Sequence, residues 1–402
     1  MKSSTTKYLL QNGLQFLKVD GRILPRSNCN ILLRGCNTNQ QTRSVRLAHS
    51  MAQTNWVSNR DESREMMGVW PDIVRDLTEA GRHLEIPDAT KWMAKVLQYN
   101  VPNGKKNRGL AVVYAYRKLA APEDLTENNL RKARILGWCA ELFQAHFLVE
   151  DDIMDHSTTR RGQPCWYLHN NIGLAAINDG LILEQAVYQL LRMHFKTDKS
   201  YVNLIETFQE TTMKTCMGQT LDMIAMNFGN RPNLNLFTMD RYNAIVKYKT
   251  AYYSFVMPVT LAMYFAGVND SEMHRQAKTI LLEMGHFFQI QDDYLDCYGD
   301  PNVTGKQGTD IQEGKCSWLA VVALQRATPA QRQIMSECYG FDDVEKVARV
   351  KQLYDDLGLS STYAIYEEES YNLMNTHIQQ ISRGLPHDLF FKFLSKIYRR
   401  DA

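Results

Sequence analysis

The 402-residue chain has no apolar run near the roughly 18–20 residues needed to cross a bilayer, which excludes a transmembrane helix. Its eight cysteines, at positions 29, 36, 139, 165, 216, 297, 316 and 338, form no C-x-x-C pair and no His/Cys cluster at zinc spacing. Several lie inside apolar helical patterns, as Cys139 does in Gly137–Ala140, so free buried thiols in a reducing compartment fit better than disulfides. Proline is scarce, with 11 residues, and the clearest of them mark breakers at Pro102, Pro232 and Pro301. No alternating apolar and polar run marks a sheet, and no short-period repeat is present.

A strong charge excess is also missing: 46 basic against 44 acidic residues give a net charge of +2. The balance is uneven along the chain. Residues 1–60 hold nine Lys or Arg and a single acid, Asp20, which leaves 37 basic and 43 acidic residues downstream. A body with that balance has no electrostatic reason to bind nucleic acid. The leader, residues 1–60, is rich in Arg, Ser, Thr and Asn, with apolar residues at loose helical spacing (Leu9, Leu10, Leu14, Phe16, Leu17). This composition predicts a mitochondrial transit peptide with a processing region around Arg43–Ser50. The competing readings are a basic tail without address and, if Met51 starts a shorter form, a cytoplasmic protein. From residue 61 to 402 the pattern is helical almost throughout, clearest over 133–149, 201–226 and 277–295. The expectation is one all-α domain of ten or more helices around a central cavity.

Two acidic clusters stand out, Asp151-Asp152-Ile-Met-Asp155 and Asp292-Asp293-Tyr-Leu-Asp296. Each D-D-x-x-D puts its first and last carboxylates one turn apart on one helix face. Like charges so placed at the end of an apolar helix are costly unless a cation neutralises them. Hard oxygen ligands with room for phosphate suit Mg²⁺. One such motif is weak evidence, because a solvated helix end reads the same; two of identical spacing are much stronger. Magnesium between such carboxylates and a diphosphate would make an allylic carbon–oxygen bond labile.

Basic residues of the kind that hold diphosphate surround these clusters. Arg160 and Arg161 can grip phosphate bidentately. Lys105 and Arg108 lie in a glycine-bounded loop; Lys249, Lys306 and Lys315 follow, and the chain ends in Arg399-Arg400 before Asp401. Any one of these alone reads as a solvated surface charge. Together, over residues 95–400, the segments Gly104–Gly109, Phe147–Asp155, Thr159–Gln163, Gly218–Asp222, Lys247–Phe255, Phe287–Asp296 and Gly308–Trp318 resemble the eukaryotic farnesyl diphosphate synthases, of the short-chain trans-prenyl diphosphate synthase family.

That resemblance implies an isoprenoid-synthase fold, a homodimer, and three Mg²⁺ ions held by Asp151, Asp155 and Asp292, with Asp152, Asp293 and Asp296 in support. It implies that Arg160, Lys249 and Lys306 grip the allylic diphosphate, with Thr250, Gln289 and Lys315 beside them. Lys105, Arg108, Gln144, Arg161 and the terminal arginines would hold isopentenyl diphosphate. The implied reaction joins isopentenyl diphosphate to dimethylallyl and then geranyl diphosphate. A terpene synthase on the same scaffold would not need the isopentenyl site, and a non-catalytic scaffold would have lost motif residues; neither loss is seen.

Two positions depart from the family pattern. His146 and Phe147 stand where two adjacent aromatics are usual, five and four residues before Asp151, at the floor that limits chain length. Phe147 is expected to block growth at the C15 product; an altered floor would favour geranyl or longer diphosphates. His286 stands where an acid is common, and no chemistry attaches to it.

Overall fold

Two 28-residue helices, Glu127–Met154 and Ser271–Tyr298, carry the two acidic clusters at their C-terminal ends. Each begins with a capped first turn: Thr126 accepts from the Asn129 amide, and Asp270 from the Met273 amide. The computed structural model describes residues 61–79, 85–304, 308–382 and 384–398. The leader, Lys306, Arg399 and Arg400 therefore lie outside the described residues. Of the two units into which the chain divides, Met1–Met66 and Met67–Ala402, the first is described only over residues 61–66, which are helical.

In chain order the helices are α1 (residues 61–79), α2 (Pro87–Asn100), α3 (Asn107–Leu119), α4 (Glu127–Met154), α5 (Ala176–Phe195), α6 (Tyr201–Ala225), α7 (Met239–Ile245), α8 (Met257–Phe265), α9 (Ser271–Tyr298), α10 (Trp318–Arg326), α11 (Pro329–Cys338), α12 (Val344–Asp356), α13 (Leu359–Gln379) and α14 (His387–Ile397). The periodic stretches expected at 133–149, 201–226 and 277–295 fall in α4, α6 and α9. Pro102 and Pro232 lie between helices, while Pro301 opens the one-turn helix Pro301–Thr304. The all-α expectation holds.

Sheet among the described residues is confined to one hairpin, β1 (Thr159–Arg160) against β2 (Gln163–Pro164). Arg160 pairs with Gln163, so the loop is Arg161-Gly162, both with positive φ, at 54° and 74°. That is the two-residue turn whose twist matches a hairpin. Strands of two residues are too short to show any alternation.

Helix α9 forms a wall shared by two apolar clusters. Ile290 packs with Trp318, Leu353 and Tyr354 in one; Met284 and Phe287 pack with Met263, Leu389 and Phe390 in the other. Each such fully buried side chain contributes about 1.5–3 kcal/mol of hydrophobic stabilisation. Between α7 and α8 the chain runs as a π-helix, Val246–Val256, a form that accumulates at functional sites. It approaches α6 closely: a Cβ on Gly218 would meet the Lys249 amide nitrogen at 2.1 Å, so only glycine fits there.

Candidate active site

The end of α4 supplies the first triad, and three cations from three different segments meet it. Lys249, on the π-helix, places Nζ 3.2 Å from Asp151 and 2.6 Å from Asp222 of α6. Lys315, in the turn before α10, reaches Asp155 at 3.0 Å and Glu313 at 2.9 Å. Arg160, from the hairpin, bonds Asp152 through Nε at 3.1 Å and Nη2 at 2.6 Å, and lies 3.9 Å from Asp151. Gln219 completes the set by donating to Asp151 at 2.9 Å.

These partners set the electrostatics. Burial pushes the Asp151 carboxyl up, but Lys249, Lys315 and Arg160 outweigh it and hold the group well below the usual range. Asp155 goes the other way: burial, with Asp151 adding to it, outweighs Lys315. Burial works against the charge on Lys249, and Asp151 and Asp222 restore and strengthen it. The first triad therefore carries a dense, nearly balanced mixture of fixed charges.

In the second triad, on α9, Asp293 and Asp296 accept from neutral donors among the described residues. Asp293 accepts from the Tyr242 hydroxyl at 2.7 Å, the Trp318 amide at 2.7 Å and the Gln289 amide at 2.9 Å. Burial nevertheless raises its pKa. Asp296 accepts from the amides of Asp310 at 3.0 Å and Thr309 at 3.3 Å. Asp292 is half-buried in the same turn. The two triads are joined through one loop, since the segment that Asp296 holds at Thr309–Asp310 runs on to Lys315, which holds Asp155.

Among the described residues no three acidic, His or Cys groups form a ready-made metal cage. The donor set still fits magnesium, which takes one or two carboxylates and completes its shell with water and phosphate. Asp155 is the clearest fit: its side chain is 1% exposed, and Oδ1 has no hydrogen-bond partner among the described residues.

A second basic group lies beside the hairpin. Arg161 donates to the carbonyls of Asn100 at 3.1 Å and Val101 at 3.4 Å, at the C-terminal end of α2. Its guanidinium lies so near Gly104 that a Cβ there would meet it at 2.7 Å. A crevice of about 30 Å³ beside it is lined by Tyr99, Asn103, Arg160, Arg161 and Gln163 among others. Arg108 donates to Ser254 at 2.6 Å and stacks on Tyr253, with 4.6 Å to the ring centre. Lys105 is exposed, and Gln144 is half-buried on α4. Thr250 is half-buried beside Lys249, whereas Gln289, expected at the allylic diphosphate, directs its amide to Asp293.

The polyprenyl synthetase family model matches residues 90–357. The chain belongs to this family. It is 49% identical over 373 residues to the farnesyl pyrophosphate synthase of Nezara viridula, covering 93% of this chain and 90% of that protein. It is 52% identical over 340 residues to the farnesyl pyrophosphate synthase of Gallus gallus, covering 84% and 92% respectively. Among solved structures, the T. brucei farnesyl diphosphate synthase complexed with risedronate superposes with a TM-score of 0.78 at 33% identity, covering 84% of this chain and 99% of that one.

Beside the expected residues Asp151, Lys249 and Lys315, two groups of this synthetase site escaped the sequence reading. Gln219 and Asp222 lie in the segment Gly218–Asp222, three apart on one face of α6; that spacing was the available signal. His146, one residue from Phe147, points elsewhere: its Nδ1 is 3.1 Å from the Gly180 carbonyl on α5 and 3.5 Å from Glu150. Phe147 packs on Phe143, with ring centres 5.1 Å apart, and Phe143 lies near Phe208 and Tyr253. His286 is half-buried, and its Nε2 lies 2.7 Å from Asn243 Oδ1.

Proposed function

We propose that this chain is a magnesium-dependent prenyltransferase that condenses isopentenyl diphosphate with dimethylallyl and then geranyl diphosphate, releasing farnesyl diphosphate. The observation that carries this reading is the convergence of Arg160, Lys249 and Lys315 on the Asp151–Asp155 triad, beside a separate basic group around Arg161. Two diphosphates need two such groups; an enzyme that only ionised one substrate would need one. The curated relatives named as farnesyl pyrophosphate synthases support the same reaction.

Asp151, Asp155 and Asp292 would hold the metal, which when bound stabilises a departing diphosphate as a Lewis acid. The chain's own residues do the rest. Arg160 and Lys249 take up negative charge as the allylic carbon–oxygen bond breaks and diphosphate leaves with the electron pair. Asp222 and Asp151 keep Lys249 charged and aimed. The aromatic stripe Phe143–Phe147 lines an apolar wall that offers the allylic cation no nucleophile. Arg161 holds isopentenyl diphosphate so that its double bond attacks that cation before water can. A carbon–carbon bond forms, and loss of a proton, with the released diphosphate as base, restores a neutral alkene. Phe147, one turn below Asp151, sets the floor at fifteen carbons, and His146, turned to α5, leaves that role to it.

The homodimer is part of the same proposal, and exposed apolar residues at helical spacing on α5 (Ile177, Leu181) and α6 (Met213, Met217, Ile224) offer a face for it. Light scattering should give a two-chain mass; a one-chain mass would remove the dimer. Labelled isopentenyl diphosphate, Mg²⁺ and each allylic starter should yield chiefly C15 diphosphate. Chiefly C10 or C20 product would overturn the chain length, and a hydrocarbon formed without isopentenyl incorporation would overturn the reaction.

A further inference from the structure

Asp179, on α5, is buried at 2% exposure and belongs to none of the groups above. Its Oδ1 accepts from the indole of Trp92 at 2.8 Å, and its Oδ2 from the indole of Trp166 at 2.8 Å. Trp92 is on α2, and Trp166 lies two residues past β2. One carboxylate therefore ties together two segments, which also meet at neighbouring contacts. Among these, the Tyr99 hydroxyl donates to the Pro164 carbonyl at 2.8 Å, and the Tyr99 ring packs on Trp166 with centres 4.9 Å apart.

Those two segments hold Arg161 between them. The hairpin carries the residue, while the end of α2 supplies the carbonyls of Asn100 and Val101 that orient its guanidinium. A buried carboxylate with no ion pair among the described residues is an expensive way merely to fill space. It has one property that an amide or an apolar side chain lacks: two equivalent acceptors, one for each indole.

We propose that Asp179 is a positioning residue for isopentenyl diphosphate, acting through Trp92 and Trp166 to set the register of α2 against the hairpin and hence the placement of Arg161. The inference rests on the reading of Arg161 as part of the isopentenyl site. It also makes a distinction inside the hairpin. Arg160 has its own anchor in the two bonds to Asp152 on α4, so its placement does not depend on α2. Loosening the Asp179 tie therefore displaces Arg161 and spares Arg160.

Steady-state kinetics of the full chain with Mg²⁺ test this directly. Asp179→Asn leaves one acceptor for two indoles. It should raise KM for isopentenyl diphosphate by about tenfold, the scale of a displacement well under 1 Å, while KM for geranyl diphosphate and kcat change by less than about threefold. Trp166→Phe keeps an aromatic ring while removing the indole N–H and some ring volume; it should move the same constant in the same direction and carries the test if Asp179→Asn folds poorly by circular dichroism. An unchanged KM for isopentenyl diphosphate in the folded variant, or equal changes for both substrates, overturns the proposal. Failure of the unsubstituted enzyme to incorporate isopentenyl diphosphate would instead overturn the functional reading.

Discussion

The two acidic triads share one spelling and differ in what they meet. The first is surrounded by charge: Asp151, Asp152 and Asp155 face Lys249, Arg160 and Lys315. In the second, neutral dipoles among the described residues meet two members: Asp293 takes a phenol, an amide side chain and a backbone N–H, and Asp296 takes two backbone N–H groups. Cations that can follow a moving charge suit the end where a bond breaks. Neutral donors locked in helices and turns suit an end that must hold its shape. The middle aspartates show the contrast most sharply: Asp152 orients the half-exposed Arg160, whereas Asp293 staples α9 to the start of α10 and to α7.

The largest break in this comparison comes from Lys249. Lys249→Ala removes the cation shared by Asp151 and Asp222, and kcat for prenyl transfer should fall by about 10²–10³, as when one preorganised donor is removed. A fall below tenfold would move the electrophilic burden away from the first triad. The middle aspartates sharpen the contrast at smaller scale. Asp293→Ala strands two buried donors, the Tyr242 hydroxyl and the Trp318 amide, each costing about 1–3 kcal/mol, and the half-buried Gln289 amide, so the melting temperature should drop by several degrees. Asp152→Ala frees a half-exposed Arg160, so its effect should be kinetic, with KM for the allylic diphosphate rising and the melting temperature nearly unchanged. Thermal melts and kinetics of the two variants side by side decide the matter; reversed outcomes would exchange the two roles.

The residues that were legible in advance are those whose role follows from local spacing. The two acidic clusters announce themselves because the first and last carboxylates of each D-D-x-x-D share a helix face, whereas the grouping of Arg160, Lys249 and Lys315 with them was implied by the family resemblance alone. What stayed hidden depends on where distant segments cross. Asp222 became visible only through the close approach at Gly218, which brings Lys249 to it. Asp179 acts across separations of 87 residues to Trp92 and 13 to Trp166, and no local pattern links them. The direction of His146 required knowing that α5 presents the Gly180 carbonyl to it. The π-helix at Val246–Val256 was likewise unreadable, because an apolar periodicity of eleven residues cannot separate 3.6 from a slightly wider turn.

The smallest expected effect tests how dry the second side is. His286 lies on α9 with the second triad; its Nε2 is 2.7 Å from Asn243 Oδ1 and its Nδ1 3.5 Å from the Tyr366 hydroxyl. Burial pushes its pKa down to about 4, against roughly 6.5 in an unfolded chain. The folded protein thus keeps the imidazole neutral where the unfolded chain would protonate it. That contribution to stability is fully present above about pH 6.5 and is lost as the pH falls toward 4, with a slope of at most about 1.4 kcal/mol per pH unit. His286→Gln retains an amide for Asn243 and does not titrate. Carboxylates elsewhere respond to acid in both proteins, so the informative quantity is the difference between their melting temperatures from pH 7.5 to 4.5. That difference should move steadily against the parent protein as the pH falls. A flat difference would mean that water or a charge reaches His286, and the neutral setting seen at Asp293 would then not extend along α9 to it.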